Sequence, residues 1–134
     1  MHEQKQVANA ASVIVVDDDP AVLAALNFAL ELEGFSVATY GSGSEVLVQS
    51  GFPKAACLII DYRLPDMDGL NLLAALRSRG VELPAVLITS RPPDGLRRRA
   101  AAANVPIVEK PLLGSALIEA IHVALAGGEE MPAV

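Results

Sequence analysis

Five short apolar runs recur along the chain, each followed by a stretch whose apolar residues fall at helical spacing. The runs are Val13–Val16, Phe35–Tyr40, Ala56–Ile60, Ala85–Ile88 and Val105–Val108. They are too short for buried helices and rich in residues that favour strands. Between them, Leu23, Leu26 and Leu30 line one helical face, and Leu70, Leu73 and Leu76 line another. Ser42 or Ser44 can cap a short helix through Val48, and an alanine-rich helix is expected around Arg97–Ala103. A last helix is expected over Leu113–Leu125, with Leu117, Ile121 and Leu125 on its stripe. The punctuation agrees: Asp19-Pro20 starts the first helix, Gly34 and Gly80 stop helices, and Pro92, Pro93 and Gly95 make a loop. Strands that are apolar throughout and alternate with helices imply a parallel sheet covered on both faces. Right-handed crossovers leave few topologies. The expected fold is α/β, a flavodoxin-like doubly wound five-stranded parallel sheet of order 2-1-3-4-5 in three α/β/α layers.

A chain of 134 residues has room for one such domain. The expected limits are 12–126, with 1–11 a flexible N-terminal segment and 127–134 a tail. One cysteine, Cys57, excludes an internal disulfide and zinc sites of the CxxC type. No apolar stretch reaches the roughly eighteen residues that a membrane span needs. Met1–Ser12 lacks the apolar core of a secretory signal, so the expectation is a soluble cytoplasmic protein with no membrane partner. The formal net charge of −6 argues against direct nucleic-acid binding, which calls for a basic face.

The polar residues concentrate at strand ends. Asp17 and Asp18 follow the first run, Asp61 the third, Thr89 and Ser90 the fourth, and Lys110 the fifth. In an open parallel sheet all strand C-termini share one edge, where ligands bind beside the topological switch point. The topology therefore gathers several carboxylates, a hydroxyl and an ammonium into one pocket. Clustered carboxylates repel one another unless a cation sits among them, and a small set of oxygen ligands suits Mg²⁺. A carboxylate can attack phosphorus to form an aspartyl phosphate. Phosphoryl transfer then needs positioning and neutralisation of the equatorial oxygens. Taken singly, each residue has a plainer role, such as a helix cap for Asp19 or a satisfied hydroxyl for Thr89. The combination in this order is what points to chemistry.

On the segments VIVVDDDP (13–20), CLIIDYRLPDMDG (57–69), VLITS (86–90) and VEKP (108–111), the chain resembles the receiver domain of two-component response regulators, from about Ser12 to Leu125. The resemblance implies that Asp61 is the phosphoacceptor. It implies that Asp18 and Asp61 contact Mg²⁺ directly, that Asp17 acts through water, and that the backbone carbonyl of Arg63 completes the protein ligands. Thr89 would bind a phosphoryl oxygen, and Lys110 would pair with the phosphoryl group or with Asp61 before transfer. Pro65 and Gly69 would shape the loop after the acceptor, and the Lys110-Pro111 peptide would be cis. The implied donor is a sensor histidine kinase or a histidine phosphotransfer protein. The implied dimer face is built from the last two helices and the last strand.

The chain departs from the family pattern at Ile107, where the family usually carries an aromatic switch residue. The stretch RPPDGLRRRAAAANVP (91–106) predicts a short or displaced helix. Its Arg97-Arg98-Arg99 run reads first as a solvated face and second as a surface for an acidic partner. Arg63 and Arg91 flank the pocket, where their bulk and charge would tune access of water or donor. The expected role is a single-domain regulatory module that performs its own acyl-phosphate chemistry. A degenerate receiver that only binds partners would fit Ile107. A haloacid-dehalogenase-type phosphatase would need a second Asp two residues after the nucleophile, where this chain has Arg63.

Overall fold

The computed structural model describes residues 11–112 and 114–127. Five strands and five helices alternate: β1 (Ser12–Val16), α1 (Pro20–Leu32), β2 (Ser36–Tyr40), α2 (Gly43–Leu47), β3 (Ala56–Asp61), α3 (Gly69–Ser78), β4 (Ala85–Thr89), α4 (Leu96–Ala102), β5 (Ile107–Glu109) and α5 (Ala116–Gly127). The strands are all parallel, in the order β2-β1-β3-β4-β5, as the alternation of runs and helices predicts.

Strand alternation divides the interior in two. Val13, Val15, Cys57, Ile59, Val86 and Ile88 pack against α1 and α5 through Leu26, Leu30, Leu117 and Ile121. Ile14, Val16, Leu58, Ile60 and Leu87 pack on the other face against Val46 of α2, Leu70, Leu72, Leu73 and Leu76 of α3, and Leu96 and Ala100 of α4. β3 is the middle strand and is buried along its whole length, so Asp61 at its end is anchored in the core of the sheet. Burying a Leu or Ile side chain is worth about 1.5–3 kcal/mol, which accounts for a chain this short needing no staple.

Local signals explain the helix limits. Asp19 caps α1 by accepting the Ala21 N–H, with Pro20 in the first turn. Gly34 takes φ +99°, and the Phe35 N–H returns to the Leu30 carbonyl, closing the helix just before β2. Ser42, rather than Ser44, caps α2.

Three expectations need correction. β5 begins at Ile107, not Val105, because the Val105 N–H is used to close the end of α4 on the Ala100 carbonyl. α5 begins at Ala116, after Gly114 at φ +72°; Leu113, expected to open this helix, lies outside the described residues. α5 also runs through Gly127, the first residue of the expected tail, whereas 128–134 and 1–10 lie outside the described residues. No described helix is long and apolar enough to cross a membrane.

Cys57 lies in the middle of β3 with no solvent exposure, and burial pushes its thiol pKa up to about 12. The thiolate is the reactive form. Alkylation at pH 8 is therefore expected to be very slow in buffer and to reach the rate of a free cysteine in denaturing urea. Equal rates in both conditions would contradict the described burial.

Candidate functional site

The pocket forms where β1, β3, β4 and β5 end. Register pairs Val16 with Ile60, Asp61 with Ile88, and Thr89 with Glu109. Asp17 and Asp61 therefore stand level at the C-terminal edge, with Thr89 one register step further along and Lys110 one step beyond that. The Asp17 N–H donates to the Tyr40 carbonyl (3.1 Å), and the Lys110 N–H to the Thr89 carbonyl (2.8 Å), extending the ladder into the site. The Lys110-Pro111 peptide is cis, as the resemblance implies.

Asp17 is fully buried, Asp61 is 6 % exposed and Asp18 faces solvent. Asp17 Oδ1 accepts the Asp19 N–H at 2.9 Å. Lys110 Nζ lies 3.0 Å from Asp17 Oδ2 and 3.4 Å from Asp61 Oδ2, and so bridges the two buried carboxylates. The contact to Asp17 Oδ2 is an ion pair off the hydrogen-bonding direction, which leaves that buried oxygen without a hydrogen-bond partner. Burial, and then the negative charge of Asp17, raises the pKa of Asp61; Lys110 and the Arg63 N–H (3.3 Å from Asp61 Oδ1) oppose the rise. Burial would lower the pKa of Lys110, but the neighbouring Asp17 and Asp61 carboxylates outweigh it and hold it above the ordinary value.

One oxygen from each of Asp17, Asp18 and Asp61 lies within 4.8 Å of the other two, a spacing that fits a small divalent cation. Three carboxylates are the hard oxygen donors such a cation takes, and Lys110 Nζ already stands 3.0 Å from Asp17 Oδ2 beside them.

Thr89 is fully buried, and its Oγ1 accepts from Arg63 Nη1 at 3.1 Å. Arg63 Nη2 donates to the Arg91 carbonyl at 3.0 Å, and the guanidinium lies 5.5 Å from the centroid of the Tyr62 ring. Tyr62 Oη in turn accepts from Arg99 of α4 at 3.4 Å. Ile107 is half-buried and joins the core on the α3 and α4 side.

The loop after Asp61 is tightly held. The Tyr62 N–H reaches the Ile88 carbonyl (2.8 Å), and the Gly69 N–H returns to the Tyr62 carbonyl (2.7 Å). Asp68 caps α3 through the Asn71 N–H at 2.8 Å. The arginine run forms an exposed face, as expected; on it Arg97 pairs with Glu109, and Arg99 lies 3.7 Å from Asp68.

Two features escaped the sequence reading. The Arg63 side chain, expected only at the pocket's flank, reaches Thr89 itself. Asp66 accepts the Gly43 and Ser44 N–H groups at 3.1 and 2.9 Å, tying the loop after Asp61 to α2, and these bonds lower its pKa. The only sequence signal for Asp66 is an acidic side chain in the stretch that follows Asp61.

Residues 13–122 match the family model for the response regulator receiver domain. The chain is 36% identical over 103 residues to the "Probable transcriptional regulatory protein TcrX" of Mycobacterium tuberculosis, covering 75% of this chain and 43% of TcrX. It is 33% identical over 123 residues to response regulator protein TodT of Pseudomonas putida, covering 90% of this chain and 54% of TodT. The chain thus spans about half the length of the curated relatives it matches. Among solved structures, FixJ-N superposes with a TM-score of 0.79 at 30% identity, covering 94% of this chain and 99% of FixJ-N.

Proposed function

This chain belongs to the response-regulator receiver family, and on that premise we propose that Asp61 accepts a phosphoryl group in a Mg²⁺-dependent reaction and that the chain signals through the resulting change of its surface. The observation that carries this reading is the convergence of the buried Asp61 carboxylate with Lys110 Nζ, 3.4 Å away, and the Asp17 and Asp18 carboxylates at one sheet edge.

In the proposed step an Asp61 oxygen forms a bond to phosphorus. The bond from phosphorus to the donor atom breaks, and its electron pair leaves with the donor. The donor is a phosphorylated histidine of a sensor kinase or phosphotransfer protein, or a small acyl phosphate in the test tube. Lys110 holds Asp61 before transfer and pairs with the phosphoryl oxygens afterwards. Thr89, on the neighbouring strand, supplies a hydroxyl to one of them. Mg²⁺, when bound, neutralises charge on the transferring phosphoryl oxygens. Asp18, Asp61 and the Arg63 carbonyl would hold it, with Asp17 acting through water. The chemistry is self-modification of a regulatory module, with the α4–β5–α5 face as the surface proposed for a second copy.

Incubation with an acyl phosphate and Mg²⁺ is expected to give an adduct stable in acid and labile in base, absent when the metal is chelated. An adduct that forms equally well in chelator would remove Mg²⁺ from the reading. Titration calorimetry of Asp18→Ala is expected to show Mg²⁺ binding weakened at least roughly tenfold, since even outer-shell losses have that effect. Unchanged affinity would take Asp18 out of the ligand set.

A further inference from the structure

We propose that Arg63 is a positioning residue for the phosphoryl site, acting through Thr89: its guanidinium occupies a lone pair of the Thr89 hydroxyl and so aims that hydroxyl's own proton at the phosphoryl group on Asp61. The inference rests on the phosphoacceptor reading above.

A hydroxyl has one proton to give and two lone pairs to receive with, whereas a guanidinium only donates. In the Arg63 Nη1–Thr89 Oγ1 contact of 3.1 Å, the threonine must therefore be the acceptor. Its proton stays free and points away from Arg63. Thr89 lies one register step beyond the residue paired with Asp61, on the adjacent strand, so the two residues end their strands at the same sheet edge. The side chain is fully buried, and threonine has few χ1 wells to choose from. A bond from a cationic donor is stronger than a neutral one and polarises the O–H beyond it.

Arg63 is itself held from three sides. Its Nη2 donates to the Arg91 carbonyl at 3.0 Å, its guanidinium lies 5.5 Å from the Tyr62 ring centroid, and its backbone N–H is 3.3 Å from Asp61 Oδ1. One residue thus touches the acceptor with its backbone and the hydroxyl donor with its side chain. A lysine here could reach either Thr89 or the Arg91 carbonyl, but lacks the fork to hold both.

The test combines a spectroscopic readout with a double-mutant cycle. In unphosphorylated protein, three-bond couplings to the Thr89 methyl are expected to report one χ1 rotamer in the wild type. They are expected to show averaged rotamers in Arg63→Gln and an intermediate state in Arg63→Lys. The rate of labelling by an acyl phosphate with Mg²⁺ is expected to fall roughly tenfold in Arg63→Gln. In the Thr89→Val background the same substitution is expected to change the rate less than roughly twofold, because the group through which it acts is gone. An unaltered Thr89 rotamer in Arg63→Gln, or the same rate loss in both backgrounds, would overturn the positioning role. Failure of the wild type to label would bring down the phosphoacceptor reading instead, since the coupling measurement needs no phosphoryl group.

Discussion

Asp61→Asn is expected to abolish labelling by an acyl phosphate while leaving the fold intact. The substitution keeps the size of the side chain but replaces an anionic oxygen nucleophile with an amide that cannot attack phosphorus. Little structure should be lost. Lys110 keeps Asp17 at 3.0 Å, and the Asn side-chain carbonyl can still accept the Arg63 N–H. Stability should be equal or slightly higher in metal-free buffer. Burial and the Asp17 charge both disfavour ionised Asp61, so removing its charge relieves a like-charge contact in a desolvated setting. Labelling measured beside a urea unfolding curve separates the two effects. Label retained by a folded Asp61→Asn protein would show that another group is the acceptor.

Gly69→Ala is expected to be the most disruptive small change near the site. A Cβ at Gly69 would stand 2.6 Å from the Asp61 carbonyl oxygen, 2.9 Å from Ile60 Cγ2 and 3.0 Å from Leu87 Cδ1. The first contact is backbone at the end of the central strand, and the other two are buried core, so none can give way cheaply. The Gly69 N–H bond to the Tyr62 carbonyl would also be forced apart. Overpacking of this kind costs about 1–3 kcal/mol. The strain falls on Asp61, the proposed phosphoacceptor, so labelling of the folded fraction should slow as well. Gly43→Ala is the control. A Cβ there meets Met67, whose sulfur would lie at 2.7 Å, but this is a flexible thioether that can swing aside. Its loss should stay below about 1 kcal/mol. Equal urea midpoints for the two variants would mean that the acceptor strand is not wedged against α3.

The fold was legible because its governing features are local. Four- to six-residue apolar runs, Asp19-Pro20 and Gly34 each act within one element, and a parallel sheet admits few connections. The same topology made the meeting of Asp17, Asp61, Thr89 and Lys110 readable, since strand ends share an edge whatever the side chains do. Side-chain reach was not legible. Arg63 finds Thr89 across 26 residues, and Asp66 finds the start of α2 across 22 and 23, with no periodicity to announce either. The start of β5 was misread for a related reason. Val105 is as apolar as a strand residue, but its N–H closes a helix through Ala100, and hydrophobicity carries no record of that bond.

The sheet that separates two cores also lets each be repacked by itself. Side chains facing α1 and α5 form one buried cluster, and those facing α2, α3 and α4 form another. A repacking on one side need not be answered on the other. Strand-end groups such as Asp61 and Thr89 belong to the sheet itself, so both sides inherit them unchanged. Substitutions in the helices of one layer can therefore alter the surface those helices present while the strand-end groups stay in place.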